Sequence, residues 1–192
     1  MRITKFLFDY LIAILIFPLV FPVIILLIII STIDTGEFGL FTQKRVGKEG
    51  KLFSIYKIRS MKGTYESDIT TLTSHKITTF GKIIRNYKLD ELPQILNILL
   101  NQMSFVGPRP DVVGYADELK GEDRIILTLK PGITGPAQLA YRNEEILLSE
   151  QENPIQYNDE TIWPDKVRIN LEYISSWTFR GDLKYIWKTI KF

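Results

Sequence analysis

The chain has 192 residues and a formal net charge of +2, a length that suits one domain with an appended segment. It has no cysteine, which excludes disulfides, a thiol nucleophile and a zinc–thiolate site, and fits a reducing compartment. Its single histidine, His75, excludes a histidine-based triad or a multi-histidine metal site and reads as a surface residue, so catalysis must rest on carboxylates, hydroxyls, Lys, Arg or an oxygen-held metal.

Much of the apolar composition lies in the first 33 residues. Tyr10–Ile33 carries no charge, and as a helix would reach roughly 36 Å, enough for a hydrocarbon core of about 30 Å. The apolar run is too long for a cleaved signal peptide, and no small-residue cleavage site follows. A plain membrane span is one reading, but three features oppose it. Pro18 and Pro22 each remove a backbone donor and predict a kink or break in mid-helix. Basic residues stand on both sides, Arg2 and Lys5 before and Lys44, Arg45 and Lys48 after, whereas a span prefers one basic side. Asp9 sits near the start, where ionisation is costly away from the interface. A re-entrant helix that kinks and returns to the same face answers all three.

After Ile33 the sequence turns polar, with no linker or repeat. "FGLFTQKRVGKEGKLFSIYKIRSM" (38–61) predicts a β-hairpin around the turn-forming "VGKEG". Residues 63–75 read as a polar loop with some helix. "TTFGKIIRNYK" (78–88) predicts a helix with Phe80, Ile83, Ile84 and Tyr87 on one face and Lys82, Arg85 and Lys88 as a basic stripe beside it. That face suits either a packed helix or the headgroup layer of a membrane. A second helix is expected from Asp90, with Leu92, Ile95, Leu96 and Leu99 on one face and Pro93 in its first turn.

The adjacent acids Asp90 and Glu91 fall at that helix start. Capping and the helix dipole explain them by stabilising about 1–2 kcal/mol. Chemically, neighbours on a helix do not face each other, so they are not opposed glycosidase acids. They could share a metal ion or divide the roles. A carboxylate is ionised at neutral pH and can act as a nucleophile without a partner base. Attack on a phosphate would need Mg²⁺ or guanidinium groups to offset repulsion between anions. Arg59, Arg85, Arg109 and Arg142 lie in or beside the motifs, Arg109 held between Pro108 and Pro110. "FVGPRPD" (105–111) and "KPGITGPAQ" (130–138) read as shaped loops, too rich in Gly and Pro for regular structure. The stretches 115–129 and 142–190 read as mostly helical, with Trp163, Trp177 and Trp187 as core or membrane-interface residues. Nothing after Phe192 predicts an added domain.

Four stretches, "FTQKRVGKEGKLFSIYKIRSM", "FGKIIRNYKLDELPQILNIL", "MSFVGPRPD" and "KPGITGPAQ", occur in the order and approximate spacing of a known family. In them the chain resembles the bacterial monotopic phosphoglycosyl transferases of the small catalytic-core type. The resemblance implies an α+β, mainly α fold. A re-entrant membrane helix (1–35) would precede a small interfacial helical domain with a β-hairpin (36–192) at the cytoplasmic face of the bacterial inner membrane. It implies transfer of a phospho-sugar from a UDP-sugar to polyprenyl (undecaprenyl) phosphate, giving polyprenyl diphosphate sugar and UMP, a first step of glycoconjugate assembly.

By the same resemblance Asp90 is the nucleophile, forming a covalent phospho-sugar intermediate with Glu91 beside it. Mg²⁺ is the cofactor, placed at Asp90 and Glu91. Arg109, with Pro108 and Pro110, matches the family's Gly-Pro-Arg-Pro motif, and Lys57, Arg59, Arg85 and Arg142 match basic positions that touch phosphates or nucleotide. The implied partners are the UDP-sugar, the polyprenyl phosphate and membrane lipid. No nucleic acid is expected, and a homodimer is open. A membrane-anchored non-catalytic scaffold and a metal-dependent nucleotide-sugar hydrolase are the alternatives.

The chain also departs from the family. Phe6 follows Lys5 where Lys-Arg is common, and Phe21-Pro22, with an extra Pro18, stands for Ser-Pro. "AYRNEE" replaces Asn-Gly-Arg, and Asn170 takes the place of an acid. The last two point to a distinct subgroup with its own sugar.

Overall fold

The computed structural model describes residues 3–63 and 77–191. His75 and most of the polar stretch 63–75 lie outside them. The described chain is α+β and mainly α. The long helix α1 (Ile3–Thr35) is followed by the hairpin strands β1 (Leu40–Val46) and β2 (Leu52–Ile58). Helices α2 (Thr79–Asn86) and α3 (Gln94–Leu99) come next, then the short strands β3 (Ser104–Val106) and β4 (Gly132–Thr134). Between those strands the chain runs mostly through 3₁₀ turns, where the sequence pattern predicts helix. Five helices close the fold: α4 (Pro136–Ala140), α5 (Glu144–Ser149), α6 (Pro154–Tyr157), α7 (Trp163–Ser175) and α8 (Phe179–Ile190).

α1 runs as one helical element through Pro18 and Pro22, so the prolines do not part it into two. Its buried positions fall in two groups, Lys5, Asp9 and Ala13, then Ile24, Leu27, Ser31 and Thr35. Steps of three and four keep each group on one helix face. Ala13, Ile24 and Leu27 join Phe53, Ile55 and Ile58 of β2, Ile84 of α2, and Ile95 and Ile98 of α3 in one core. The two prolines lie between the groups in an exposed stretch.

Both ends of α1 are fastened to this body. At the first, the Lys5 ammonium donates to Asp182 Oδ2 of α8 at 2.7 Å, and Asp182 also accepts from the Tyr173 hydroxyl and the Trp177 indole. Asp9 accepts from the Ser104 hydroxyl of β3 at 2.6 Å. At the other end, the Ser31 hydroxyl donates to the Arg59 carbonyl at 2.6 Å. Buried charges are stable only when paired in this way. The remaining faces of α1 are apolar and exposed, including Leu11, Leu15, Leu19, Leu26, Ile29 and Ile33. Among the described residues α1 is the helix long and apolar enough to cross a membrane.

β1 and β2 form the expected antiparallel hairpin, Leu40 opposite Ile58 through Val46 opposite Leu52, turning at Lys48–Gly50. β3 and β4 correct the sequence reading, because strand runs into both Gly-Pro loops, through Phe105 and Val106 in the first and Gly132–Thr134 in the second, and the two strands pair in parallel. The glycines allow it. A Cβ on Gly132 would meet the Gly107 nitrogen at 2.1 Å, and one on Gly107 would meet the Lys130 carbonyl oxygen at 2.5 Å. Backbone therefore packs directly on backbone, with Gly107 N–H donating to Thr134 O and Gly132 N–H to Pro108 O. This pairing fixes the root of the Pro108–Arg109–Pro110 segment.

Candidate active site

Asp90 and Glu91 are placed by two helices of different packing. α2 is capped by Thr78, whose hydroxyl accepts from Gly81 N–H, and buries Ile84 while leaving Ile83 and Tyr87 exposed. Lys88 then takes a left-handed conformation (φ 56°) and starts a 3₁₀ turn over Leu89–Glu91. α3 begins only at Gln94, and no acid caps it. The capping explanation of the acids is thus removed, and so is the expectation that the second helix starts at Asp90. Asn97 pins α3 to the hairpin. It accepts from Tyr56 N–H at 3.2 Å and donates to Ser54 O at 2.8 Å. That contact brings Lys57 of β2 to the acids.

The two carboxylates sit in different surroundings. Glu91 Oε1 accepts from the Lys57 ammonium at 3.0 Å and lies 3.8 Å from the Arg109 guanidinium. Burial opposes its ionisation, but Lys57 and Arg109 outweigh burial and hold its carboxyl down to about 2. Asp90 is buried, and its Oδ1 has no hydrogen-bond partner. Burial first, then the charge of Glu91, pushes its carboxyl up, partly offset by Lys57, Arg85 and Lys88. The outcome is one committed acid and one underused acid facing cations, an arrangement that separates two roles.

The predicted cations divide into two sets. Lys57, Arg85, Arg109 and Lys88 surround the acids. Arg85 also pairs with Glu145 of α5. Arg59 and Arg142 do not join them. Arg59 pairs with Glu37 at 2.9 Å, donates to Phe38 O and lies over the Phe41 ring, which ties the end of α1 to the hairpin. Arg142 donates to the Lys188 carbonyl of α8. Pro108 and Pro110 are buried and flank the exposed Arg109.

Beyond Arg109 lies a cavity of about 150 Å³ that sequence reasoning did not find. Arg109, Asp111, Tyr115, Glu144, Trp163 and Lys166 are among its walls. Its traces in the sequence are Arg109 and Asp111 of "FVGPRPD" and the departure at "AYRNEE", which contains Glu144 and Glu145.

Among the described residues no three acids or histidines gather into a metal cage. Mg²⁺ needs no such cage, because it binds through one or two carboxylates plus phosphate oxygens and water. The unpartnered Asp90 Oδ1 beside Glu91 fits that pattern.

A family model described as bacterial sugar transferase matches residues 1–192. The chain is 32% identical over 190 residues to an uncharacterized sugar transferase, EpsL, of Bacillus subtilis, covering 98% of this chain and 86% of that protein. It is 36% identical over 159 residues to a UDP-glucose:undecaprenyl-phosphate glucose-1-phosphate transferase of Klebsiella pneumoniae, and 33% over 166 residues to the galactosyl transferase CpsE of Streptococcus agalactiae. Each of these two alignments covers 79% of this chain but only 31% and 34% of the relative. The chain therefore spans about a third of the length of these relatives and most of EpsL.

Proposed function

This chain belongs to the bacterial sugar transferase family, and on that premise we propose that it transfers a phospho-sugar from a UDP-sugar to polyprenyl phosphate, such as undecaprenyl phosphate, releasing UMP. The observation that carries the reading is the buried, unpartnered Asp90 oxygen among Lys57, Arg85 and Lys88. A charge held this way costs folding free energy and has no structural partner, whereas a nucleophile needs a free lone pair.

In the proposed reaction Asp90 attacks the phosphorus that carries the sugar. A bond forms from the carboxylate oxygen to phosphorus, and the bond from that phosphorus to the bridging oxygen breaks, leaving with UMP. An oxygen of the lipid phosphate then attacks the same phosphorus and displaces Asp90, giving polyprenyl diphosphate sugar. An acyl phosphate keeps much of the free energy of the diphosphate bond, so the second transfer is not uphill. Lys57 and Arg109 hold Glu91 ionised and stationary, and Arg85, Lys88 and Arg109 offset the charge of incoming phosphates. Mg²⁺, held by Asp90 and Glu91 with phosphate oxygens, would supply further neutralisation of that charge.

The same reading seats the protein on the cytoplasmic face of the inner membrane. The support is the exposed apolar surface of α1, the exposed Trp187 and Ile190 of α8, and Ile83 and Tyr87 of α2 beside Lys82. Patches of this extent mark membrane or partner contact. The lipid phosphate would then lie at headgroup depth, near the acids.

The test is UMP release from a panel of UDP-sugars with Mg²⁺, with and without undecaprenyl phosphate. Lipid-dependent UMP is expected. Equal release without lipid would make the protein a hydrolase, and no release from any donor would leave a non-catalytic scaffold.

A further inference from the structure

We propose that the cavity beside Arg109 is the subsite for the donor's sugar, and that Asp111 is its specificity residue, selecting a pyranose that presents hydroxyl or amino hydrogens over a hexuronate. The inference rests on the transferase reading and deepens it.

Position comes first. In the proposed reaction the sugar is bonded to the phosphorus that Asp90 attacks, so its ring must lie one phosphate–oxygen–carbon linkage from the acids. Arg109 borders both places. It lies 3.8 Å from Glu91 and lines the cavity, and its charge interacts with Glu91, Glu144, Asp111 and Asp90 alike. The cavity's volume of about 150 Å³ has room for several waters, whose places the hydroxyls of a sugar would take.

Charge comes next. Glu144 is occupied by Lys166 at 2.6 Å, and Glu145 by Arg85. Among the cavity's acids Asp111 is left, with no hydrogen bond or ion pair from its carboxylate among the described residues. The residue is half-buried, and its carbonyl accepts from Val46 N–H of β1 at 2.9 Å, so its backbone is fixed. Burial raises its carboxyl to about 6, with Lys166, Arg109 and Arg45 opposing the rise. A carboxylate carried on this fixed backbone accepts hydrogen bonds from hydroxyl or amino groups, and repels a second carboxylate.

Shape is the third observation. Tyr115 and Trp163 meet edge to face at 5.3 Å and wall both the cavity and an adjoining open depression of about 360 Å³. The Tyr115 hydroxyl donates to Asp159 at 2.8 Å and accepts from Asn158, which fixes the ring. Asn158 and Asp159 belong to a π-helical turn over Asn158–Ile162, an irregularity frequent at functional sites. Aromatic faces of this kind receive the C–H face of a sugar, while Asp111 reads its hydroxyl edge.

The experiment compares wild type, Asp111→Asn and Asp111→Ala by calorimetric binding of UDP and of a panel of UDP-sugars that includes a UDP-hexuronate. Lipid-dependent UMP release is measured on the same samples. The expected result is unchanged affinity for UDP. The variants should lose tenfold or more in affinity and in KM for the preferred donor, kcat should change little, and the gap to the hexuronate should narrow. Unchanged donor order and affinity in both variants would overturn the assignment, as would a wild type that binds no UDP-sugar differently from UDP. Sugar-dependent binding that follows Asp111 without UMP release would uphold the subsite and overturn the transferase reading instead.

Discussion

Asp90 carries a buried oxygen without a partner, so removing its charge should help folding while ending turnover. Asp90→Asn is expected to lose activity by about a thousandfold or more and to raise Tm by about 2–4 °C, the change that ~1 kcal/mol produces in a chain of this size. Lipid-dependent UMP release and a thermal melt measure the two effects, and retained turnover would refute the nucleophile. Glu91 behaves in the opposite sense. Its carboxyl titrates at about 2 in the folded chain against an ordinary 4.5. The difference corresponds to about 3 kcal/mol of stability above pH 4.5, lost as pH falls towards 2. Glu91→Gln should therefore be less stable at pH 7 by up to about 3 kcal/mol and nearly equal to wild type near pH 2, as urea titrations at the two pH values would show. Arg109→Ala should cut turnover by at least about tenfold, whereas Arg59→Ala should act mainly through stability. The acids and Arg109 were legible because they sit inside contiguous motifs. The division between Arg109 and Arg59 was not, because it depends on where Glu37 and Glu91 fall in space. Asp111 belongs with Arg59 here, since what sets it apart from the other acids of the cavity is that Lys166 pairs with Glu144, a contact settled in space and not in the motif.

At the scale of elements, the hairpin and α2 were readable from alternation, turn residues and helical spacing, each repeated over seven or eight residues. β3 and β4 were not, because three residues give no period and the Gly and Pro around them argue against regular structure. What makes them pair is the missing Cβ at Gly107 and Gly132. Gly132→Ala is accordingly expected to part the strands and destabilise the fold by about 3 kcal/mol or more, since a methyl group placed 2.1 Å from a backbone nitrogen forces the chain apart. Turnover should fall as well, because Arg109 hangs from that pair. A melt and a rate measured together would show both, and a stable, active variant would deny β3 and β4 this positioning role. α3 starts later than the spacing predicts for a local reason: Lys88 turns left-handed and the next three residues form a 3₁₀ turn.

For the whole molecule, the apolar run of α1 is plain in the sequence, but its attachment is not. Lys5 meets Asp182, and Ser31 meets Arg59, through contacts that no local pattern announces. An ordinary span would carry one end of α1 away from the body that holds the other. Cysteines placed at positions 2 and 48 are therefore expected to react with an impermeant reagent from the same membrane face, and labelling from opposite faces would reject this topology. The clasp between Lys5 and Asp182 also has a timing. Its partners are 177 residues apart, so at about 5–20 residues per second the ribosome needs on the order of ten to thirty seconds to supply the second after the first. For most of that interval the whole apolar segment of α1 has been synthesised, with its N-terminal charge pair still incomplete. Whatever holds it meanwhile, whether lipid or a chaperone, acts before the protein's own lock exists.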